Sequence, residues 1–283
     1  MGNEPQRLPD YDDPPVVETV LGVQFDRLAG FRNAHLGAFW NTLDSDEWPT
    51  VADANLLHPQ FEEFAETGRW AKGAFIQLSQ DPAARVQIKS RDGDRMIQVQ
   101  NDRLHFNWIG AKDDHTYPRY DNVRDGFTFV LDQFLSFIDR ANIGDFRANQ
   151  WEVTYVNHLP RGTVWNEPSD WNFFKPLGPV PTIENLIQGE SFGGEWHFVI
   201  PEKVGRLHIN WRHSKKLVPD EEEEEFIRLT FTARGPVENT DDPILAIFAG
   251  LDVGHRTSVL VFKELMDDNA NKSWGMKHDA DNV

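Results

Sequence analysis

The sequence predicts an α+β protein made of two pseudo-repeated halves, in each of which a curved antiparallel sheet packs on one long helix. Three observations support this prediction. Short runs with alternating apolar residues are separated by turn residues, which is typical of antiparallel hairpins. Two longer stretches, at 123–142 and 243–267, carry apolar residues at helical spacing. The order strand, variable connection, meander, long helix occurs twice along the 283 residues.

These patterns divide the chain into four parts. Residues 1–14 are polar and rich in Pro, which predicts a flexible arm and not a secretory leader. The two α+β halves span 15–146 and 147–267, and a polar tail occupies 268–283. The helix-grip folds of lipid- and hormone-binding domains and the duplicated TATA-binding-protein fold are architectural analogies for this arrangement.

The first half opens with VVETVLGVQF, 16–25, which is apolar on both faces and therefore predicts a strand buried on both sides. Helical spacing follows at 35–43, and a second amphipathic piece is predicted around 57–71. Four strands come next within 74–110, namely AFIQLSQ, RVQIKSR, MIQVQN and RLHFNWIG. The turn residues between them predict an antiparallel meander.

The second half begins with a strand at 151–159, WEVTYVNHL. A loop rich in Pro and aromatic residues fills 160–181, where the first half has helices. Three strands are predicted within 195–234, and a helix at 243–267 follows them. Because the intervals between elements differ in the two halves, the repeat is an argument from topology more than from sequence.

Composition limits the classes of function. The chain has 46 acidic and 28 basic residues and a formal net charge of -18, which repels nucleic-acid phosphates and anionic membranes. It has no Cys, which excludes disulfides and thiolate chemistry. No uninterrupted apolar run approaches the roughly 20 residues of a membrane span. We expect a soluble cytoplasmic protein whose partner is a protein or a small molecule, with nucleic acid and membranes disfavoured.

Neither a metal nor a cofactor is predicted. The ten His residues form no HExxH or comparable zinc pattern, and no Gly-rich phosphate loop occurs. The acidic run Glu221–Glu225 lacks the Gly and the alternating ligands of a calcium loop, so it predicts a solvated turn.

One hexapeptide occurs twice, as RLHFNW at 103–108 and as RLHINW at 206–211. On a strand, the Leu, the Phe or Ile, and the Trp point to one face and form core, while the His and Asn point to the other. The polar face either lines a groove or meets water, and the usual alternation of a half-exposed strand favours water. The polar residues of the two copies are His105, Asn107, His208 and Asn210.

The predicted C-terminal helix carries Asp252 and His255 on the stripe that should be apolar. Three residues apart on a helix, the two side chains are able to interact. A buried carboxylate that orients an imidazole makes a general base, and the same pair also satisfies a core His. Because no nucleophile completes a triad, the structural interpretation is favoured over catalysis.

Four aromatic residues crowd the loop at 160–181. They either contact a partner or fold down as a lid on the protein's own core. Both interpretations stay open, because long loops without regular structure are often functional. The residues are Trp165, Trp171, Phe173 and Phe174.

Three short motifs resemble a known family. The opening PPVVE at 14–18 is similar to the Pro-Pro-apolar-apolar-Glu strand with which a sporadically distributed family of uncharacterised bacterial proteins begins. Tyr155-Val156-Asn157 is similar to its mid-chain Tyr-x-Asn strand. A late helix with an Asp, a His and a Phe resembles the motif formed by Asp252, His255 and Phe262. The resemblance covers most of the chain, and its patchy distribution implies accessory roles in mobile or defence-associated gene sets.

Three functions follow from these observations, in order of preference. The first is a non-catalytic binding or accessory protein that acts through a protein partner. The second is a small-molecule-binding protein with a cavity between the sheet and the C-terminal helix, lined by Asp252, His255 and the Asn/His strand face. The third is a hydrolase that uses Asp252 and His255 as a pair.

Overall fold

The protein is described here by a computed structural model over residues 7–64, 84–110, 116–177, 190–216, 224–237 and 240–277. These residues form nine strands, four α-helices and a 3-10 turn at Pro201–Lys203, which confirms the α+β class. In chain order the elements are β1 (Val16–Phe25), α1 (Asn33–Trp40), β2 (Thr50–Ala54), β3 (Arg85–Lys89), β4 (Arg95–Gln100), β5 (Arg103–Ile109), α2 (Tyr120–Ala141), β6 (Ala148–Pro160), β7 (Gly193–Ile200), β8 (Gly205–Lys216), β9 (Glu224–Pro236), α3 (Pro243–Leu265) and α4 (Asp268–Ser273).

All nine strands belong to one antiparallel sheet with the order β2-β3-β4-β5-β1-β6-β9-β8-β7. Near its centre β1 pairs with β6, and Leu21 lies opposite Val153 in that ladder. Residues Thr19–Phe25 of β1 are buried without exception, which confirms the predicted strand with two buried faces. The meander and the later strands are therefore parts of one continuous sheet.

The three longer helices lie on one face of this sheet. α2 packs on β1 and β5, α3 packs on β6, β8 and β9, and α1 lies against β3. Phe127 of α2 meets Phe248 of α3, with the ring centroids 6.0 Å apart. Alternate strand residues such as Val23, Phe106 and Val153 are buried beneath the helices. The opposite face carries mainly polar side chains, and we call it the polar face.

The ends of the long helices follow from local chemistry. The carboxylate of Asp242 accepts a hydrogen bond from the amide of Leu245 at 2.9 Å, and Pro243 occupies the first turn, where its missing N–H costs nothing. α2 ends at Asn142, whose backbone is left-handed at φ 49° and ψ 50°. Asn tolerates this conformation better than most residues, so it is suited to end the helix here.

Trp151 of β6 determines how closely α3 approaches the sheet. Its indole lies against two glycines one turn apart on α3, and a Cβ placed on Gly250 would come within 2.2 Å of the ring. A Cβ on Gly254 would come within 2.8 Å of it, and one on Gly235 of β9 within 2.6 Å. The glycines therefore make the space that the Trp151 side chain fills.

The aromatic loop folds onto the protein's own core. Trp165 and Trp171 are 1% and 4% exposed, and Phe174 stacks on Trp196 of β7 at 5.5 Å. A backbone bridge between Phe174 and Met266 fixes the loop to the end of α3. Of the two interpretations of this loop, the structure shows the lid, because neither indole is presented at the surface.

The described part of the predicted arm packs against the region predicted to be a polar tail. The hydroxyl of Tyr11 donates a hydrogen bond to Asn271 Oδ1 at 2.7 Å, and the amide of Asp12 donates to the carbonyl of Gly275 at 3.1 Å. Trp274 is buried beside them. Both ends of the described chain thus extend the core next to α3.

The two RLHxNW copies occupy different places in the sheet. The first lies in β5, which pairs with β1, whereas the second lies in β8, between β7 and β9. The apolar residues are buried in both copies, as a shared packing pattern predicts. The expectation that their polar residues meet water is wrong for His105 and Asn107, which are 5% and 1% exposed. The Asn107 side chain donates to Glu18 and accepts from Gln98, so polar neighbours bury it.

The amphipathic piece expected around 57–71 is not a helix where the structure describes it. Residues 55–64 have no regular secondary structure, and side chains of the polar face hold residues 57–63. The strand expected at AFIQLSQ, 74–80, lies outside the described residues.

Among the described helices, only α3 has the length and the mean hydropathy of a membrane span, 23 residues and 1.4. Asp252 and His255 interrupt its apolar run, and its inner residues Ile247, Leu251 and Phe262 pack in the core. By length and composition alone, one such helix is weak evidence for a membrane span.

We predict that Gly250→Ala destabilises the protein by about 1–3 kcal/mol. The added methyl group clashes with Trp151, and this costs more free energy than the higher helix propensity of Ala contributes. Gly37→Ala in α1 is the matched control, since a Cβ there meets nothing within 4 Å. It should stabilise the protein by about 0.5–1 kcal/mol. Urea unfolding of both variants measures the difference, and two changes of the same sign would contradict the packing described for Trp151.

Candidate functional site

A cavity of about 790 Å³ opens on the helix side of the sheet, between α2 and α3. Its floor comes from the central strands and includes Val16, Tyr155, Asn157 and Phe231. The first turn of α2 and the middle of α3 form the walls, and the segment that precedes β1 contributes to the rim. Sites for drug-sized molecules typically have volumes of about 300–1,000 Å³.

His255 lies in the wall of this cavity among aromatic residues. Its Nδ1 is 2.7 Å from the hydroxyl of Tyr155. Its ring stacks on Tyr120, with the centroids 3.9 Å apart and the planes 4° apart. Burial lowers the pKa of His255 to about 4, although the charges of Asp121 and Asp252 act in the opposite direction. The imidazole is therefore neutral near pH 7 and held in one orientation.

Asp252 is joined to His255 through Tyr120. Its Oδ1 accepts hydrogen bonds from the Tyr120 hydroxyl at 2.8 Å and from Arg124 Nε at 3.1 Å. The carboxylate side chain is about half exposed, at 52%. A general base of the triad type needs a carboxylate bonded to the imidazole Nδ1, and here Tyr155 bonds to that nitrogen instead.

The tyrosines of the cavity keep uncharged hydroxyls. Burial raises the pKa of Tyr155 well above its ordinary value. Burial also raises the pKa of Tyr120, and the hydrogen bond to Asp252 adds to this effect. The pKa of Tyr117 is raised by burial as well. Together with His255 they form a set of neutral hydrogen-bonding groups.

The charged residues of the cavity compensate one another. Arg119 pairs with Asp10 at 3.2 Å, and Arg124 pairs with Asp252 at 3.1 Å. A bound molecule therefore needs no net charge to balance the wall. The charged lining residues are Asp10, Asp121, Asp252, Arg119, Arg124 and Arg256.

Ser258 adds a polar group that the described chain does not satisfy. It follows His255 by three residues on α3, is 2% exposed, and its hydroxyl has no hydrogen-bond partner among the described residues. Leaving such a group unpaired costs about 1–3 kcal/mol. Buried groups of this kind often mark places where a water or a ligand supplies the missing bond.

The cavity contains two of the eight residues singled out from the sequence, Asp252 and His255. The Asn/His strand face does not line it, because that face lies on the other side of the sheet, so this part of the small-molecule prediction is wrong. The two loop indoles are core residues. The six residues outside the cavity are His105, Asn107, His208, Asn210, Trp165 and Trp171.

Sequence reasoning missed Ser258 and Tyr120 as site residues. Ser258 stands three positions after His255, so helical spacing was a signal that could have found it. Tyr120 begins a different helix, and no local pattern links it to α3. In the part of the chain that the structure describes, no group of three or more His, Asp or Glu side chains could hold a metal ion.

We predict that the protein loses stability as the pH falls from about 6.5 to 4. The pKa of His255 is about 4 in the folded protein and 6.5 without burial, so in this range the unfolded chain binds a proton that the folded chain excludes. The contribution of neutral His255 to the free energy of unfolding is fully present above pH 6.5. It is lost as the pH falls towards 4, and the total loss is about 1–3 kcal/mol. Burial lowers the pKa of His105 and His158 to about 4 as well, so they act in the same direction.

The variant His255→Asn removes the part of this pH-dependent loss of stability that is due to His255. Urea unfolding at pH 7 and at pH 5 should show a smaller loss of stability in the variant than in the parent protein. Equal losses in both would show that His255 does not titrate as described.

Comparison of the chain with protein-family models, with curated proteins and with solved structures found no match. The resemblance to the sporadically distributed bacterial family therefore stays a prediction, and function rests on the geometry of the site.

Proposed function

We propose that this protein binds an uncharged small molecule with a flat aromatic or apolar part in the cavity between α2 and α3. The observation that carries the proposal is the preformed pair of Tyr155 and His255 inside a cavity of about 790 Å³. Sites of this kind are mostly apolar, with a few fixed polar groups that orient the ligand.

The chemistry of the wall supports this ligand class. Phe231, Val259 and Phe262 supply apolar surface, and the stacked Tyr120–His255 pair supplies a flat one. Tyr155 engages Nδ1 of His255, so Nε2 is the ring nitrogen that a ligand can meet. The cavity wall carries equal numbers of Asp and Arg side chains, so an ionic ligand would be repelled by some of them. This arrangement favours a neutral ligand over an ionic one.

Binding is favoured over catalysis by the same geometry. The hydrogen bond that a hydrolase would need between Asp252 and His255 is replaced by separate bonds to Tyr120 and Tyr155. Both residues are then parts of a rigid aromatic wall. The protein partner expected from the sequence remains a proposal.

We further propose that the chain arose by duplication and acts in the cytoplasm. The strand order supports the first point, because β5, β4 and β3 follow β1 outward on one side as β9, β8 and β7 follow β6 on the other. A long helix follows β5 in one half and β9 in the other. The lack of Cys fits a reducing compartment.

Native mass spectrometry of protein isolated gently from its own host tests the ligand. We expect an added mass of about a few hundred daltons that is lost on denaturation. Val259→Trp should abolish it by filling the cavity from α3. Ala249→Trp is the matched control, because it adds the same side chain at an exposed position of the same helix.

The two variants separate a filled cavity from a damaged fold. Circular dichroism should show that both retain the parent secondary structure. An added mass that persists in Val259→Trp would place the ligand elsewhere. Protein that carries no small molecule under any condition would contradict the proposed function.

A further inference from the structure

The polar face differs in charge from the rest of the protein. Its side chains come from alternate residues of the strands, as the pairing registers show. Eight cations oppose four anions there, although the whole chain carries a formal charge of -18. The surface is thus locally cationic within an acidic protein. The charged residues are Arg85, Lys89, Arg103, Arg206, Arg212, Lys216, Arg228, Arg234, Glu18, Glu152, Glu195 and Glu224.

A stretch of the chain's own backbone is bound on this face. We call Leu57–Phe64 the crossing segment. Gln100 holds both backbone groups of Leu57: its Nε2 donates to the carbonyl at 2.8 Å and its Oε1 accepts from the amide at 3.1 Å. Arg103 Nη2 donates to the carbonyl of His58 at 3.1 Å. These hydrogen bonds go to backbone amide and carbonyl groups, so they do not depend on which side chains the segment carries.

The contacts continue strand by strand across the sheet. Gln24 of β1 accepts from the amide of Gln60 at 3.0 Å, and Gln150 of β6 accepts from the amide of Glu62 at 3.2 Å. From β4 to β6 the sheet spans three strand spacings, about 14 Å. The six residues Leu57–Glu62 are joined by five residue steps, which reach at most about 17 Å. The crossing segment is therefore nearly fully extended.

One side chain of the crossing segment has a specific pocket. The carboxylate of Glu62, 4% exposed, contacts Arg206, lies 2.7 Å from His208 Nε2 and accepts from Arg234 Nε at 3.0 Å. Burial alone would raise the pKa of Glu62, but the hydrogen bonds and charges of His208 and Arg234 lower it to about 2. Arg206 also donates to the carbonyl of Glu63 at 3.1 Å. The pocket therefore selects an anionic side chain.

The crossing segment is held by polar contacts and buries little apolar surface. Its Phe61 is 57% exposed, and Leu56, just before it, is 40% exposed. It pairs with no strand in the described part of the sheet. Segments with few buried apolar contacts open at low free energy. The binding surface beneath it can thus be uncovered without unfolding the sheet.

We propose that the polar face is a binding site for an extended acidic polypeptide segment of a partner protein, and that the crossing segment occupies it in cis. The partner segment carries a Glu or Asp in the position of Glu62. It displaces the crossing segment and uses the same side chains of Gln24, Gln100, Gln150 and Arg103 for its backbone. This proposal concerns the opposite face of the sheet and does not depend on the small-molecule site.

The hydrogen-bond pattern favours a polypeptide over a nucleic acid. The Oε1 atoms of Gln24, Gln100 and Gln150 each accept a bond from a backbone N–H. A phosphodiester backbone offers acceptors but no N–H donors, so it would leave the Oε1 atoms of Gln100 and Gln150 without these bonds, whereas Gln24 Oε1 would keep its bond from Arg103. The overall charge of -18 also opposes polyanions at long range.

The test uses a fluorescein-labelled peptide with the sequence of residues 55–64, NLLHPQFEEF, and fluorescence anisotropy. In Glu62→Lys the new cation meets Arg206 and Arg234, so the crossing segment should leave the face. We expect this variant to bind the peptide at least about tenfold more tightly than the parent protein, in which the tethered segment competes. Glu63→Lys is the matched control and should bind like the parent protein, because Glu63 contacts the face through its carbonyl.

Two further measurements identify what is recognised. A peptide with Gln in the position of Glu62 should bind about tenfold more weakly, because it loses the charged contacts. Gln24→Ala combined with Gln100→Ala in the Glu62→Lys background should weaken both peptides alike. Hydrogen exchange of residues 57–64 reports release of the crossing segment. Glu62→Ala replaces Glu62→Lys in all experiments if the latter does not fold by circular dichroism.

Three results would overturn the proposal. The first is a folded variant whose crossing segment is released but which does not bind the peptide. The second is a segment that stays protected from exchange in both Glu62 variants. The third is binding of a 20-residue oligothymidylate to the released variant more tightly than the peptide at the same salt concentration, which would assign the face to single-stranded nucleic acid.

Discussion

The structure depends on the pairing of β1 with β6 at the middle of the nine-stranded sheet. This ladder joins the strands that lie to either side of it into one continuous surface. Because successive residues of a strand point to opposite faces, the same ladder gives the molecule an apolar side and a polar side. Leu21 and Val153 point towards the helices, while Gln24 and Gln150 point the other way. Both proposed sites are consequences of this single arrangement.

On the apolar side, α2 covers the β1 side of the ladder and α3 covers the β6 side, and a gap lies between the two helices. Trp151 fixes the position of α3 through its fit against Gly250 and Gly254, so the gap has a defined width. Tyr155 extends from the central ladder into that gap and meets His255 there. On the polar side, the ladder instead presents amides and cations that hold an extended main chain. A small molecule and a polypeptide can thus be bound on opposite faces of one sheet.

Much of the fold followed from sequence periodicity, and the sites followed from it only in part. The stretch 16–25 forms a strand with the predicted bounds, because alternation within one strand is a local property. The polar residues His105 and Asn107 were expected to meet water, and they are buried because residues distant in sequence surround them. That residues 57–64 bind across the polar face could not be predicted from local sequence for the same reason, because their contact partners lie on six different strands. Asp252 and His255 were found together because both stand on one helix.

A crystal structure of the protein purified from its own host, without added ligands, tests most directly whether the cavity between α2 and α3 holds a small molecule. We expect electron density for a compact molecule in the cavity, with a polar atom within hydrogen-bond distance of the Ser258 hydroxyl or His255 Nε2. A cavity closed by its own side chains, with Ser258 bonded within the chain, would contradict it.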